Sequence, residues 1–359
     1  MSYRLISDGT ERMDIVKLAK KLSVSTATVS RALRPETAHL VREPLRRRIQ
    51  EAAEQLGYVP SPAARGMRTQ RALIVNVVIP CDEYVLLGEY HGRLLSAIMK
   101  RTKELGIEFR ISSLDNLRED FIESLWDASY GSGGIIYLGS TLSADNVKSL
   151  RRLTRPFAVI KSALPPDHAA GDITASVIGV DNVQAGYLAS RHLLELGHRR
   201  IAFINASRAV HFDAYERLLG IKKAFIEFAA PFESALYMEC SPDFFSGAAA
   251  WKKLRDPSRP TAVICLNDEL ARGVIRGSTE DGVRCPEDLA VIGFDDSRLA
   301  YFISPGLTSV RQPLDDVGAA CVNAIHEALQ SGVAVKHDID FQPELIIRES
   351  SGKPLPGAS

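Results

Sequence analysis

The sequence predicts a small all-α head built around a helix-turn-helix, joined to an α/β domain of two doubly wound parallel-sheet lobes. Three observations predict it. The stretch DIVKLAKKLSVSTATVSR (residues 14–31) holds two short helical patterns separated by a break. From Ala72 onward, β-branched runs alternate with amphipathic stretches, the pattern of βαβ units around parallel sheets. Charge is also divided unevenly. The whole chain is balanced, with 44 basic and 44 acidic residues, yet residues 1–71 hold fourteen Lys and Arg against seven Asp and Glu. A head of +7 on a body of −7 suits attraction to nucleic acid by the head alone.

In the head, Ile15, Val16, Leu18, Ala19 and Leu22 recur at helical spacing. Leu22-Ser23-Val24 interrupts the pattern, and Thr26 to Leu33 resumes it with Val29 and Leu33 inward. Asp14 is placed as the N-cap. Met13 before it is a candidate translation start, which would leave the first twelve residues outside the fold. The second helix of such a motif can lie in the DNA major groove. After Ser25, its outward face offers Thr26, Ala27, Thr28, Ser30 and Arg31, side chains that permit close approach to base edges and phosphates. Periodicity alone fits an ordinary pair of surface helices about as well. A third apolar ridge at Leu45, Ile49, Ala52, Ala53 and Leu56 closes a three-helix unit, assigned to residues 13–58. Arg46, Arg47 and Arg48 begin that helix, either as a solvated face or as phosphate contacts. Residues 59–71 follow as a hinge helix and linker. Pro60 and Pro62 suit a helix start, while Gly66 costs roughly 1 kcal/mol against Ala. So short a segment is marginal alone and becomes helical against a partner.

VSTATVSRAL followed by EAAEQLGYVPSPAARGMR resembles the N-terminal signature of the lactose-repressor (LacI/GalR) family of bacterial transcription regulators. The resemblance implies a cytoplasmic, homodimeric, sequence-specific regulator, a repressor that binds double-stranded operator DNA under small-molecule control. It carries Ser25, Thr26, Ala27, Thr28, Ser30 and Arg31 over as DNA contacts of the recognition helix, and Ser61, Ala64 and Met67 as those of the hinge. Met67 stands where the family inserts a leucine between base steps, and its flexible side chain can still act as an apolar wedge. Two departures stand out. The loop RPETAHLVREP is about two residues longer than usual in the family, and Arg42 stands where a Ser or Thr normally caps the third helix.

The body spans residues 72–350. Strand-like runs include 73–80, 134–140, 157–162, 201–206, 262–267 and 290–296; helical stretches include 89–105, 183–196, 214–228 and 314–330. GVDNVQAGYLASRHLLELGHRRIAFIN, RPTAVICLNDELARG, PEDLAVIGFDDS and LTSVRQP resemble the same family's effector domain, whose fold is periplasmic-binding-protein-like. The resemblance implies three crossings between lobes, with residues 72–196 and 313–340 in the first and 197–311 and 342–350 in the second.

Ligands of such sheets bind beyond the carboxyl ends of the strands. Asn267-Asp268 and Asp295-Asp296 lie at two such ends, and Arg217 lies near the start of a helix. An amide, a carboxylate and a guanidinium in one cleft can hold several hydroxyls. The family resemblance carries effector contact over to Arg217, Asn267 and Asp295, with Gln312 at a crossover. Asp268 and Asp296 are read instead as helix caps. In the first lobe the family's usual aromatic turn is replaced by CDEYVLLGEYHGRL, leaving Tyr84 or Tyr90 to supply a ring. The expected effector is a carbohydrate or a derivative of one.

Other classes find less support. No GxGxxG follows the first strand, no GxxxxGK[ST] or GxSxG occurs, and the GSGG at 131–134 precedes a strand instead of opening a helix. Enzymatic activity, a cofactor and a metal site are therefore not expected. The five scattered cysteines read as reduced thiols. Neither a secretory signal nor a membrane span is expected. The alternative is a soluble solute-binding or regulatory protein of the same fold whose effector is absent or not a sugar.

Overall fold

A computed structural model describes residues 15–33, 38–56, 74–80, 88–114, 121–129, 131–139, 142–150, 155–164, 175–206, 212–255, 259–331 and 336–352. The expectations for Asp14, Ser61, Ala64, Met67 and Tyr84 lie outside those residues. The chain falls into two compact units, Met1–Ala72 and Leu73–Ser359.

The head contains α1 (Ile15–Leu22), α2 (Thr26–Ala32) and α3 (Glu43–Gln55). Ser23 adopts φ +56, the left-handed step that turns the chain between α1 and α2. Leu18, Ala19, Leu22, Val29, Ala32, Ile49 and Ala53 form its core, with Leu33 only partly buried beside it. Burying a side chain such as Leu18 or Ile49 contributes roughly 1.5–3 kcal/mol. Gln50 Nε2 reaches the Ala32 carbonyl at 3.4 Å, tying α3 to the end of α2. Two of the three arginines of α3 are paired on their own helix, Arg46 with Glu43 and Arg47 with Glu51. That favours a solvated face for both.

The first lobe is built from β1 (Ile74–Pro80), α4 (Glu89–Glu104), β2 (Glu108–Leu114), α5 (Phe121–Ala128), β3 (Gly134–Tyr137), α6 (Ala144–Leu150), β4 (Phe157–Ile160) and β5 (Ser176–Val180). The chain then enters the second lobe with α7 (Asn182–Leu196), β6 (Ile201–Asn205), α8 (Phe212–Glu227), β7 (Tyr237–Glu239) and α9 (Phe244–Leu254). This lobe continues through β8 (Ala262–Cys265), α10 (Asp268–Glu280), β9 (Ala290–Phe294), α11 (Arg298–Phe302) and β10 (Thr308–Arg311). Next, α12 (Leu314–Ser331) and β11 (Asp338–Phe341) return to the first lobe, and β12 (Glu344–Ile346) ends in the second. The two sheets run β11-β5-β4-β3-β1-β2 and β12-β10-β9-β8-β6-β7. Pairing is parallel throughout except between β10 and β12.

Strand alternation puts helices on both faces of the second sheet. Ala202, Ile204, Val263 and Val291 face one helical layer, with Trp251 of α9 and Leu270 and Val274 of α10. Ile201, Phe203, Ile264 and Ile292 face the other, with Ala185, Ala189 and Leu193 of α7 and Ile221 and Phe225 of α8. The first lobe's core draws Leu314, Val317, Cys321 and Val322 from α12. One boundary needs correcting. The sequence reading leaves residues 183–196 in the first lobe, but α7 packs on the second sheet, so the first crossing falls at Asp181.

Candidate functional site

In the head, Ser25 caps α2. Its Oγ accepts the Thr28 N–H at 3.1 Å and lies 2.9 Å from the Thr28 hydroxyl. Val29 and Ala32 turn inward. Thr26, Ala27, Thr28 and Ser30 are half-buried and Arg31 is exposed, so one face of the helix presents small polar groups around a single guanidinium.

In the body, strand ends place the other candidates. Strand β9 stops at Phe294, and the next two residues have positive φ, +99 at Asp295 and +48 at Asp296. Such backbone costs on the order of 1–3 kcal/mol per residue and persists where surrounding bonds enforce it. Here the Asp295 N–H donates to Val310 O at 2.9 Å and the Asp296 N–H to Ser309 Oγ at 2.9 Å. The Asp295 carboxylate accepts Gln312 Nε2 at 2.6 Å. Burial raises its pKa, opposed by Arg217 and by the Gln312 bond.

Arg217, on α8, is 3% exposed. Its Nε donates to Asn182 Oδ1 at 3.0 Å and one terminal nitrogen to Leu266 O at 2.5 Å. The other lies 3.4 Å from Asp213, and the guanidinium stacks 4.5 Å above the Phe294 ring. From the first lobe, the Tyr90 hydroxyl hydrogen-bonds with Ser162 and interacts electrostatically with Asp213, Asp295 and Arg217. Desolvation drives its pKa upward, and the two carboxylates add to that. Tyr90, Arg217, Asp295 and Gln312 are thus brought together where the lobes meet. Asp213, Asn182 and Ser162 join them. Asp213 had a signal in the sequence, since four residues before Arg217 is one helical turn away.

Asn267 lies one residue beyond Leu266, whose carbonyl holds Arg217. The expected caps are corrected here. Asn267 itself caps α10, its Oδ1 accepting Leu270 N–H at 2.9 Å while Nδ2 donates to Pro242 O at 2.9 Å. Ser297 caps α11 through the Ala300 N–H. Asp268 lies inside α10's first turn, 2% exposed, accepting the Ser297 N–H and the Ser309 hydroxyl, each at 2.7 Å. Burial pushes its carboxyl up to about 8, with the Asp295 charge adding to the effect. Asp296 is an ion-pair hub, joined to Arg311 at 2.7 Å and Arg348 at 2.5 Å. Both corrections have one cause: a cap lies just outside the helical turn, and the α10 and α11 turns begin one residue away from where they were read.

Among the described residues no group of His, Cys, Asp and Glu is arranged to hold a metal ion. Likewise, no described helix is long and apolar enough to cross a membrane.

A helix-turn-helix head on a body of two doubly wound lobes, with polar groups converging between the lobes, defines a DNA-binding regulator with a ligand-binding body. The profile of "Bacterial regulatory proteins, lacI family" matches residues 14–61, and that of "Periplasmic binding protein-like domain" matches residues 190–351. The chain is 28% identical to catabolite control protein A of Priestia megaterium, over 91% of this chain and 98% of that protein. It is 27% identical to the transcriptional repressor PurR of Mannheimia succiniciproducens, over 94% and 98%. Among solved structures, the lac repressor dimer bound to operator and an anti-inducer superposes with a TM-score of 0.79 at 22% identity, covering 95% of this chain and all of that one. The regulator CelR in complex with cellobiose gives 0.68 at 24% identity, covering 94% and 100%. The chain thus carries a lacI-family DNA-binding head and a periplasmic-binding-protein-like body, and is a DNA-binding transcription regulator.

Proposed function

We propose that this regulator is a cytoplasmic homodimeric repressor whose grip on its operator is set by a hydroxyl-rich small molecule, a carbohydrate or a derivative, bound between the lobes. One observation carries the reading: a first-lobe hydroxyl, that of Tyr90, lies within electrostatic reach of the second-lobe guanidinium and carboxylate of Arg217 and Asp295. A polyol needs both donors and acceptors, and these groups with Gln312 provide both. Asn267 retains one amide hydrogen for a ligand after its cap and Pro242 bonds. The cellobiose-bound relative makes a sugar the first class to try. In the head, Ser25, Thr26, Ala27, Thr28, Ser30 and Arg31 read the major groove, while Ser61, Ala64 and Met67 act at the central minor-groove step.

Thermal-shift screening with sugars, sugar acids and sugar phosphates, followed by calorimetry, tests the cleft. A bound ligand should lose its affinity in Asp295→Ala and Arg217→Ala, while operator binding by Asp295→Ala persists. Ligand affinity unaltered in both variants would remove these residues from the site. No binding across the screen would overturn small-molecule control.

A further inference from the structure

A pocket of about 380 Å³ with charged side chains in its lining lies at the lobe junction, next to the cleft around Arg217 but sharing none of Tyr90, Arg217, Asp295 and Gln312 with it. Glu89 and Arg93 of α4 line it from the first lobe; Asp296, Arg298, Arg311 and Arg348 line it from the second. Four guanidiniums face two carboxylates, an excess of two positive charges in the lining. Glu344, which reaches Arg311 at 3.3 Å from an exposed position, lowers that excess to one. The carboxylates are already engaged. Glu89 accepts the Arg298 backbone N–H with both oxygens at 2.9 Å, and Asp296 is shared by Arg311 and Arg348. Arg93 donates to a neutral acceptor, the Asp295 carbonyl, at 3.2 Å. Arg298 is exposed, and only its backbone N–H is tied to Glu89.

We propose that this pocket is an anion site for a phosphate-bearing small molecule, separate from the sugar cleft and independent of that assignment. Planar guanidiniums bind phosphate oxygens through paired, charge-assisted hydrogen bonds. A phosphate anion suits a lining with net positive charge, and the volume leaves room for a small organic body attached to it. Because Arg93 comes from one lobe and the other three arginines from its neighbour, the bound anion bridges the junction and holds the lobes in this arrangement.

Calorimetry on the full chain, with inorganic phosphate in one arm and glycerol phosphate in the other, tests the site. Both probes should bind. Tighter binding of the ester than of the free ion assigns the ligand as a phosphomonoester, and equal binding assigns free phosphate. Arg93→Ala and Arg298→Ala should each weaken binding about tenfold, and Arg298→Glu should weaken it further. Gln312→Ala, at a side chain outside the pocket lining, should change it less than twofold. The proposal fails if neither probe binds at millimolar concentration. It also fails if both arginine variants bind like the parent, or if Gln312→Ala loses as much affinity as they do.

Discussion

At the residue scale, Asp268 carries a consequence that its neighbours do not. Its carboxyl accepts hydrogen bonds from Ser297 and Ser309, is in contact with no cation among the described residues and is 2% exposed, and burial pushes its pKa up to about 8, so the folded protein keeps a proton there. The unfolded chain releases that proton near the ordinary carboxylate value. Between those limits the native state binds more protons than the unfolded state, so stability falls as pH rises. Asp268→Asn removes the titration while keeping an oxygen for Ser297 and an amide for Ser309. Urea unfolding of the parent should lose up to roughly 1 kcal/mol per pH unit across this window, and the variant's curve should be flatter. An equally steep decline in Asp268→Asn would trace the slope to other groups. In the head, Arg31→Ala should cost about 1–3 kcal/mol on the preferred operator and relax its base preference. Quantitative footprinting on matched and altered sites checks it. Residue types were legible in the sequence here, but their roles were not. Asn267 and Asp268 are adjacent and equally able to cap, and only the helix's starting turn decides which one does.

At the element scale, α7 and α8 approach closely enough that backbone meets backbone. A Cβ at Gly186 would collide with the Arg217 carbonyl, and one at Gly220 with the Val183 carbonyl. Neither obstacle is a side chain that can swing away. Gly186→Ala must therefore push α8 outward, at a cost of about 1–3 kcal/mol, and carry Arg217 with it. Denaturant midpoints should fall, and so should affinity for any ligand held by Arg217. Gly92→Ala is the contrast, because a Cβ there meets nothing within 4 Å. It should be neutral or stabilising by up to about 1 kcal/mol. A Gly186→Ala variant as stable as the parent would show that the crossing yields at no cost. The same crossing explains what the sequence concealed. Periodicity finds α7, but an amphipathic stripe does not say which sheet it covers, and the boundary implied by the family resemblance left this helix in the wrong lobe. The short strands β7, β11 and β12 also left little trace, because their half-exposed residues produce no apolar run. Buried parallel strands such as β9, with every residue inside, were read from their β-branched runs, although β5, equally buried, was not among the runs named.

At the scale of the whole molecule, ligand control requires that the arrangement of the lobes bias the DNA grip, since a ligand shifts an equilibrium only through states that it binds differently. Polar bonds across the lobe junction hold the present arrangement without any ligand. Glu89 accepts the Arg298 N–H, Arg93 donates to Asp295 O, and Lys161 lies 3.6 Å from Glu216 while also pairing with Asp340 in its own lobe. Glu89 and Lys161 are far in sequence from each other and from the basic head, and they reach separate elements of the second lobe, α11 and α8. Removing either releases the junction by a different contact. If lobe arrangement sets operator affinity, Glu89→Ala and Lys161→Ala should shift it in the same direction with no effector present. Allosteric couplings of 1–3 kcal/mol correspond to about 5–150-fold, so a shift of severalfold is expected, measured by fluorescence anisotropy on operator DNA. Nonspecific binding, set by the +7 head, should keep its salt dependence in both. Operator affinities equal to the parent's in both variants, or shifted in opposite directions, would break the link between the lobe junction and DNA, leaving a ligand in the cleft no route to the head through it.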